Sequence, residues 1–311
     1  MLPNPLFELI GQGVHAYGIC IAVGILACLV VFYLYTKKKG MPEEVQDFVF
    51  FVAIGAIAVG MLFAKLFQAV YNWIDTGVFN FYNSGMTVMG GLIGGAAAFL
   101  AIYFGVGHFY FKGKKKGLHI KEFNKVFLTA PICITIAHAF GRIGCLMAGC
   151  CHGEYLGKNF VLGGIYMQGT TDGWGYYVPT QLYEALFLFG LFALLSVLYF
   201  KRVNFIMAIY LVAYAIWRIF IEFFRADMRG ELIPGTLSPS QWQSILFILG
   251  GVLLVLFYVW RKIPLILPKE SPTVTVAKSE DVSEVVEADS ENISEEKAGN
   301  SGEDKSDKNN E

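Results

Sequence analysis

Long apolar runs separated by short polar links dominate about the first 260 residues of this 311-residue chain. Each run approaches the ~20 residues that an α-helix needs to cross the hydrocarbon of a bilayer. The pattern therefore predicts an all-α, polytopic membrane protein with seven transmembrane helices. The predicted segments are Tyr17–Tyr35, Phe48–Trp73, Val88–Phe104, Val126–Met147, Thr180–Phe200, Phe205–Phe224 and Trp242–Val259.

Basic clusters between these segments predict the direction in which the chain crosses the membrane. They follow the first, third, fifth and seventh segments: Lys37–Lys39, Lys112 with Lys114–Lys116, Lys201–Arg202 and Arg261–Lys262. Lysine and arginine are enriched in cytoplasmic loops. We therefore expect the N-terminus outside, the C-terminus in the cytoplasm, and the polar end of the fourth segment at the outer leaflet of the membrane.

The composition changes near residue 268. The chain is 55% hydrophobic, above the ~45–50% of ordinary soluble domains, yet residues 269–311 hold 13 acidic residues and 5 lysines. Such a segment cannot bury enough apolar surface to fold. We expect a membrane domain over residues 1–267 and a disordered, acidic cytoplasmic tail over 268–311. The lysine clusters are short topology signals, so no nucleic-acid partner is expected.

The most informative stretch is Ile136–Gly153, at the end of the fourth segment. An ionisable residue within a membrane segment is costly and usually meets a polar partner or a substrate. In helical register His138, Arg142, Cys145 and Gly149 share one face. Arg142 offers a charged donor fork suited to a phosphate. His138 is as well explained by helix packing as by catalysis.

Four residues of this stretch are candidates for thiol chemistry: Cys145, Cys150, Cys151 and His152. Their spacing matches no strong metal motif, and adjacent cysteines rarely both ligate one ion, so we expect no metal and no cofactor. Three interpretations stay open. The cysteines form a disulfide, line a lipid pocket, or include a nucleophile whose pKa is lowered by a neighbouring cation.

Two further clusters of polar residues lie at predicted helix ends on the same side of the membrane. Arg218, Glu222 and Arg225 share a helical face, and the Arg–Glu pair at i,i+4 prevents the carboxylate from being buried alone. Gln181 and Glu184, three residues apart, begin the fifth segment. Together with Arg142, the two arginines Arg218 and Arg225 predict a site for an anionic lipid headgroup.

Glycines open the third segment. Gly90 and Gly91 lie in a run of small residues that lets two backbones approach closely in lipid. Helix packing explains this run well. The alternative is that a lipid or peptide backbone lies along it, which makes Gly90 and Gly91 candidate substrate-binding residues.

Five motifs resemble those of the prolipoprotein diacylglyceryl transferases, over roughly residues 3–262. The resemblance implies that phosphatidylglycerol, or a similar anionic phospholipid, donates a diacylglyceryl group to the lipobox cysteine of a prolipoprotein signal peptide. It also implies that Arg142 and Arg218 hold the phosphate and that Glu222 and Tyr17 belong to the site. The motifs are His15–Gly18, Gly90–Gly94, Gly141–Gly153, Pro179–Glu184 and Arg218–Arg225.

The chain also departs from the family pattern. Met89 stands where the family usually has a histidine before the Gly-Gly of the third helix, and cysteines stand at two polar positions of the signature that ends at Gly153. A methionine cannot accept a proton, so the acceptor thiol needs another base, for which His138 is one candidate. The alternatives are another acceptor for the same fold, a thiol or redox membrane enzyme using Cys145, Cys150 and Cys151, or a non-catalytic protein that binds anionic lipid.

Overall fold

The computed structural model describes residues 7–9, 12–168, 173–225 and 238–267. The protein is mostly helical, as predicted, and the predicted tail, 268–311, lies outside the described residues. A short 3₁₀ turn, Gly113–Lys115, precedes the fourth helix. The helices of the described part of the chain are α1 (Ala16–Lys38), α2 (Glu43–Thr76), α3 (Val88–Tyr110), α4 (Leu118–Ala148), α5 (Thr180–Phe200), α6 (Ile206–Glu222) and α7 (Pro239–Trp260).

Six of these seven described helices are long and apolar enough to cross a membrane: α1 to α5 and α7. Helix α6 has 17 residues, fewer than the ~20 that span a bilayer without tilt or local thinning. The protein is therefore a multi-pass membrane protein. The seventh crossing, by α6, stays a prediction.

Two helices begin earlier than the apolar pattern predicts. Helix α2 begins at Glu43 rather than Phe48, and α4 begins at Leu118 rather than Val126. The first turn of α2 carries Glu43 and Glu44, and carboxylates are favourable next to the positive end of the helix dipole. A search for apolar runs stops at the first charged residue and misses such turns.

The helices pack mainly in neighbouring pairs, α1 with α4, α2 with α3, and α6 with α7, while α5 lies against α4. A core between α4, α5 and α6 includes the fully buried Ile132, Leu188, Leu195 and Ile206. This core fixes the relative positions of the three helices whose ends carry the polar residues singled out above.

Close contact between α2 and α3 depends on glycine. A Cβ atom added at Gly90 would lie 2.6 Å from the Cβ of Phe67, and one at Gly94 would lie 2.3 Å from the Cβ of Phe63. Both distances are too short for a side chain, so α3 can approach α2 this closely only with glycine. The packing interpretation accounts for this run of small residues.

All four basic clusters lie at one end of the helices. The fourth follows α7 and lies beside the end of α5, where the backbone N–H of Leu267 donates a hydrogen bond of 2.9 Å to the carbonyl of Arg202. The ammonium group of Lys38 lies 4.4 Å from the ring centroid of Phe200, which joins the end of α1 to the end of α5. Lys115, after α3, pairs with Glu44 at the start of α2. The ends of α1, α3 and α5 therefore lie together, opposite the ends that carry the predicted site.

A small antiparallel sheet covers the C-terminal end of α4. Met167 and Tyr177 of this sheet are fully buried and pack against Leu146 of α4. The sequence analysis did not predict it, because strands of three or four residues leave too short an alternating pattern. In the described residues, the strands are β1 (Phe7–Leu9) and β2 (Gln12–Val14), which form a hairpin, and β3 (Tyr155–Gly157), β4 (Ile165–Gln168) and β5 (Trp174–Tyr177), in the order β3-β5-β4.

Candidate functional site

Polar side chains from several helix ends meet at the end of the molecule opposite the basic clusters. Helices α4 and α6 end there, and α1, α5 and α7 begin there. Charged side chains from α4, α5 and α6 form what we call the arginine–glutamate cluster, which consists of Arg142, Glu184, Arg218 and Glu222.

Glu184 is the centre of one half of this cluster. Its side chain is fully buried, and its Oε2 atom lies 2.9 Å from Nε of Arg142. Its other oxygen, Oε1, accepts a hydrogen bond of 3.1 Å from the hydroxyl of Tyr214 and lies 3.8 Å from Nε2 of His138. A buried carboxylate needs such partners, because an isolated charge in an apolar interior is very costly. Glu184 thus fixes Arg142 in place.

Arg218 and Glu222 form the other half. Nη1 of Arg218 lies 2.8 Å from Oε2 of Glu222. Oε1 of Glu222 accepts hydrogen bonds from the hydroxyls of Ser238 and Ser240, at the start of α7. Nη2 of Arg218 is buried and has no hydrogen-bond partner among the described residues. This nitrogen is a donor that an added acceptor could satisfy.

The loop between α4 and the sheet, residues 149–154, lies against the start of α5. We call it the cysteine loop. Helix α4 ends at Gly149 in the left-handed conformation, with φ 71°. The side-chain amide of Gln181 donates a hydrogen bond of 2.6 Å to the carbonyl of Cys150, and the Thr180 hydroxyl donates one of 2.8 Å to the carbonyl of Cys151. The Pro179–Glu184 motif therefore holds the cysteine loop in position.

Gly153 allows this loop to reach the end of α6. Its backbone pairs with that of Arg225 in an isolated antiparallel bridge. A Cβ atom at Gly153 would lie 2.3 Å from the carbonyl oxygen of Phe224, so only glycine fits here. Close packing thus accounts for Gly153, while its part in substrate binding stays a prediction.

Three cysteines converge in this loop and form what we call the thiol cluster: Cys145, Cys150 and Cys151. All three sulfur atoms lie within 4.8 Å of one another. No disulfide joins any of the three, and each is half-buried. Hydrogen bonds with Cys145 and Cys150, followed by the charge and a hydrogen bond of Arg225, lower the pKa of the Cys151 thiol. The thiol cluster therefore has a cation beside it.

Tyr17 connects the two clusters. Its ring lies against Gly144, where a Cβ atom would come within 3.1 Å of the tyrosine Cδ2. The hydroxyl is close enough to Arg142 and to the three cysteines to interact with them electrostatically. The Tyr17 side chain is 42% exposed, so it is accessible from outside the bundle.

Three of the predicted residues lie apart from these contacts. Gly90 and Gly91 are in the α2–α3 interface. His152 is buried, with Nδ1 2.9 Å from the carbonyl of Gly153 and its ring 4.4 Å from that of Tyr177. The other candidate side chains meet in or beside the two clusters.

Sequence reasoning missed four contributors, namely Thr180, Tyr214, Ser238 and Ser240. Tyr214 lies one turn before Arg218 on the same face of α6, so extending the helical register would have found it. Thr180 begins α5 beside Gln181. Nothing in the sequence alone indicates that Ser238 and Ser240 reach Glu222, because that contact depends on how α7 packs against α6.

An apolar groove of about 480 Å³ lies between α5 and α6, next to the arginine–glutamate cluster. Its aromatic lining includes Phe187, Trp217 and Phe220. The rings of Phe187 and Trp217 stack at 4.4 Å between centroids. The groove opens between the helices, and its lining is suited to hydrocarbon.

Comparison with known proteins agrees with this architecture. Residues 4–257 match the model of the prolipoprotein diacylglyceryl transferase family. A protein of Clostridium perfringens, named phosphatidylglycerol–prolipoprotein diacylglyceryl transferase 2, is 31% identical over 257 residues, covering 80% of this chain and 93% of the relative. Proteins named phosphatidylglycerol–prolipoprotein diacylglyceryl transferase from Clostridium tetani and Clostridioides difficile are 30% and 32% identical, each covering 79% of this chain and 94% and 92% of the relative.

Proposed function

Because the chain belongs to the prolipoprotein diacylglyceryl transferase family, we propose that it moves the diacylglyceryl group of phosphatidylglycerol onto a prolipoprotein. The acceptor is the thiol of the lipobox cysteine, and the product is a thioether. The observation that best supports a phosphate-binding site is the buried Nη2 of Arg218, which has no hydrogen-bond partner among the described residues. Buried polar atoms are nearly always hydrogen-bonded, and a phosphate oxygen would satisfy this donor.

The charge balance supports an anionic headgroup at this position. Three arginines, Arg142, Arg218 and Arg225, face two glutamates, Glu184 and Glu222. With His138 counted as neutral, the site carries one net positive charge. Paired guanidinium groups held by buried carboxylates are preorganised and need no rearrangement when charge develops on the leaving group.

Each residue of the site then has a role. Arg142 and Arg218 bind the phosphate and stabilise the leaving glycerol phosphate, with Arg225 alongside. Glu184 and Glu222 orient these arginines. Gln181 positions the cysteine loop, Tyr17 contacts the headgroup, and His138, next to Glu184, is a candidate proton acceptor. Gly90 and Gly91 pack α3 against α2, and Gly153 packs the loop against the end of α6. Contact of these glycines with substrate stays a prediction.

The apolar groove supports an assignment for the rest of the lipid. It adjoins the turn of α6 that carries Arg218 and is lined by Phe187, Trp217 and Phe220. An acyl chain in this groove would place the headgroup at the arginines. The lipid would thus enter sideways from the bilayer, between α5 and α6.

The positions of the basic clusters support a proposal for the arrangement in the membrane. The chain crosses a bacterial inner membrane seven times, with its N-terminus outside and the site at the outer leaflet. Positive residues favour the cytoplasmic side, and the shortness of α6 is accommodated by local thinning of the bilayer. Residues 1–267 form the transferase domain, and 268–311 form a disordered cytoplasmic tail.

Mass spectrometry of a lipobox peptide tests this function. The full-length protein in detergent is incubated with phosphatidylglycerol and the peptide, and the expected product carries one diacylglyceryl group on its cysteine. A matched peptide with serine at that position is the control and stays unmodified. Phosphatidylglycerol that binds but is never consumed would contradict the proposal and indicate a lipid-binding protein instead.

A second test uses cells. Expression in a strain that lacks its own transferase should restore lipid modification of its lipoproteins. Membrane fractionation shows whether the protein has been inserted. A protein that is inserted but leaves the lipoproteins unmodified would contradict the proposal.

A further inference from the structure

The thiol cluster has a geometry that the spacing of its cysteines does not predict. Cys145 lies in the last turn of α4, and Cys150 and Cys151 follow the end of that helix. The side chains of two adjacent cysteines normally point in different directions, which argues against both binding the same metal ion. Here all three sulfur atoms lie within 4.8 Å of one another.

The backbone explains how adjacent cysteines converge. Gly149 ends α4 in the left-handed conformation, and the amide of Cys150 donates a hydrogen bond of 3.2 Å to the carbonyl of Cys145. Cys151 is itself left-handed, with φ 64°, which is uncommon for a residue other than glycine. The two turns fold the loop back over the last turn of α4, so that both thiols face Cys145.

From this geometry we infer that Cys145, Cys150 and Cys151 bind one Zn²⁺ ion through three thiolates and leave its fourth position open. With Zn–S bonds of about 2.3 Å, tetrahedral sulfur ligands lie about 3.8 Å apart. The observed separations need only small side-chain rotations to reach this value. Thiolates are ligands that select soft or borderline metal ions such as Zn²⁺.

The open position follows from the ligand count. Structural zinc sites use four protein ligands, whereas catalytic sites use three and keep one position for a water or substrate. Within the described ranges, no fourth histidine, cysteine, aspartate or glutamate joins the three cysteines. His152 is next in the chain, but its Nδ1 contacts the carbonyl of Gly153 and its ring packs against Tyr177.

Nearby arginines balance the charge of such a site. Zn²⁺ with three thiolates carries one net negative charge. Arg225 hydrogen-bonds to Cys151, and Arg142 interacts electrostatically with Cys145. These two arginines also belong to the proposed phosphate site, so the metal would lie beside the headgroup.

A role for the metal rests on the proposed function. Met89 cannot serve as a base, and zinc deprotonates a thiol that coordinates it. The acceptor cysteine would become the fourth ligand and release its proton to water. Its thiolate then attacks the glycerol carbon that carries the phosphate. A carbon–sulfur bond forms, the carbon–oxygen bond breaks, and its electron pair leaves with glycerol phosphate. The neutral thioether is a weak ligand and dissociates.

A disulfide is the main competing interpretation of the thiol cluster. It would use two sulfurs and leave the third without a role, although the left-handed turn at Cys151 brings all three together. A disulfide would also prevent zinc from binding. The two interpretations therefore predict different metal contents and different masses for the same protein.

Metal analysis of the full-length protein tests the site itself. We expect one zinc per chain after purification in a reducing buffer without chelator. Replacing zinc by Co²⁺ should give sulfur-to-cobalt charge-transfer absorption and tetrahedral d–d bands. Cys145→Ser, Cys150→Ser and Cys151→Ser should each weaken metal binding more than about 100-fold, since even changes around the ligands cost about 10- to 100-fold.

Cys28→Ser is the matched control. Cys28 interacts with Cys133 between α1 and α4, outside the thiol cluster, so this variant should keep the zinc. To separate loss of a ligand from loss of folding, zinc is also removed from the unmodified protein with a chelator and then added back. Binding that is absent, or that survives all three cluster substitutions, would overturn the site. So would a disulfide found by mass spectrometry in the protein purified under reducing conditions.

The acceptor peptide tests the open position. A lipobox peptide with cysteine should change the d–d bands of the Co²⁺ protein, whereas the peptide with serine should not. Full transfer by the zinc-free protein would overturn the metal's role and leave the proposed function intact. Zinc bound to all three cysteines, with no transfer to any lipobox peptide, would contradict the proposed function and leave the site intact.

Discussion

The arginine–glutamate cluster and the thiol cluster lie at the same end of the molecule but are built in different ways. The first uses side chains on α4, α5 and α6, held by buried ion pairs at 2.8 and 2.9 Å. The second depends on two left-handed turns in a loop. Helical register and helix packing therefore determine the arginine–glutamate cluster, whereas loop geometry determines the thiol cluster.

This difference coincides with a division that the resemblance in the sequence predicts. The motifs that resemble the family's supply the arginines and glutamates. The positions at which we predict a departure from the family pattern supply the thiols. A protein can alter a loop without disturbing the ion pairs between its helices, so we expect substitutions in the first cluster to cost more than substitutions in the second.

The largest effect is expected for Glu184→Ala. Removing one partner of a buried ion pair typically costs about 3–5 kcal/mol, because the other charge stays buried and unpaired. The free energy of unfolding in detergent, measured by denaturant titration, should fall by about this amount. Glu44→Ala, which removes a half-exposed carboxylate paired with Lys115, should cost no more than about 1 kcal/mol.

The double variant Glu184→Ala with Arg142→Leu sharpens this prediction. If the cost comes from the unpaired arginine, the double variant should recover part of the lost stability. Equal stability of the single and double variants would show that the unpaired charge of Arg142 is not the source of the cost.

The next effect concerns catalysis. Arg218→Lys should lower the rate of diacylglyceryl transfer by about 10²- to 10³-fold, the typical cost of removing one preorganised donor from a site where charge develops. Lysine keeps the charge but loses the planar donor fork. Transfer to the lipobox peptide measures the rate. Arg261→Lys, at the opposite end of the molecule, should leave it unchanged, and a small effect at Arg218 would place the phosphate elsewhere.

The same contrast explains how much the sequence alone could predict. Arg218 and Glu222 were paired correctly because i,i+4 spacing places them on one face of a helix. Arg142 and Glu184 were both identified, but their contact depends on the packing of α4 against α5. The convergence of Cys150 and Cys151 could not be predicted, because the backbone conformation at Cys151 is unusual for that residue type. The sheet that covers the end of α4 could not be predicted either, because its strands of three or four residues are too short to show an alternating pattern.

A smaller effect is expected where the two clusters meet. Gly153→Ala places a Cβ atom 2.3 Å from the carbonyl of Phe224, which forces the loop away from α6. Overpacking of this kind costs about 1–3 kcal/mol. Gly190→Ala in α5, where a Cβ atom has nothing within 4 Å, should be neutral or stabilising. Similar stability of the two variants would contradict the close approach of the loop to α6.

The smallest effect should come from Thr180→Val, which removes the hydrogen bond to the carbonyl of Cys151 and keeps the side-chain shape. One neutral hydrogen bond contributes about 0.5–1.5 kcal/mol. Because this bond holds the cysteine loop, the loss should be local, and alkylation of the metal-free protein by iodoacetamide should be faster at Cys151 than in the unmodified chain. Thr76→Val removes a similar bond from an exposed hydroxyl at the end of α2 and should not change the labelling. If Thr180→Val also leaves the labelling unchanged, the two left-handed turns hold the thiols together without help from α5.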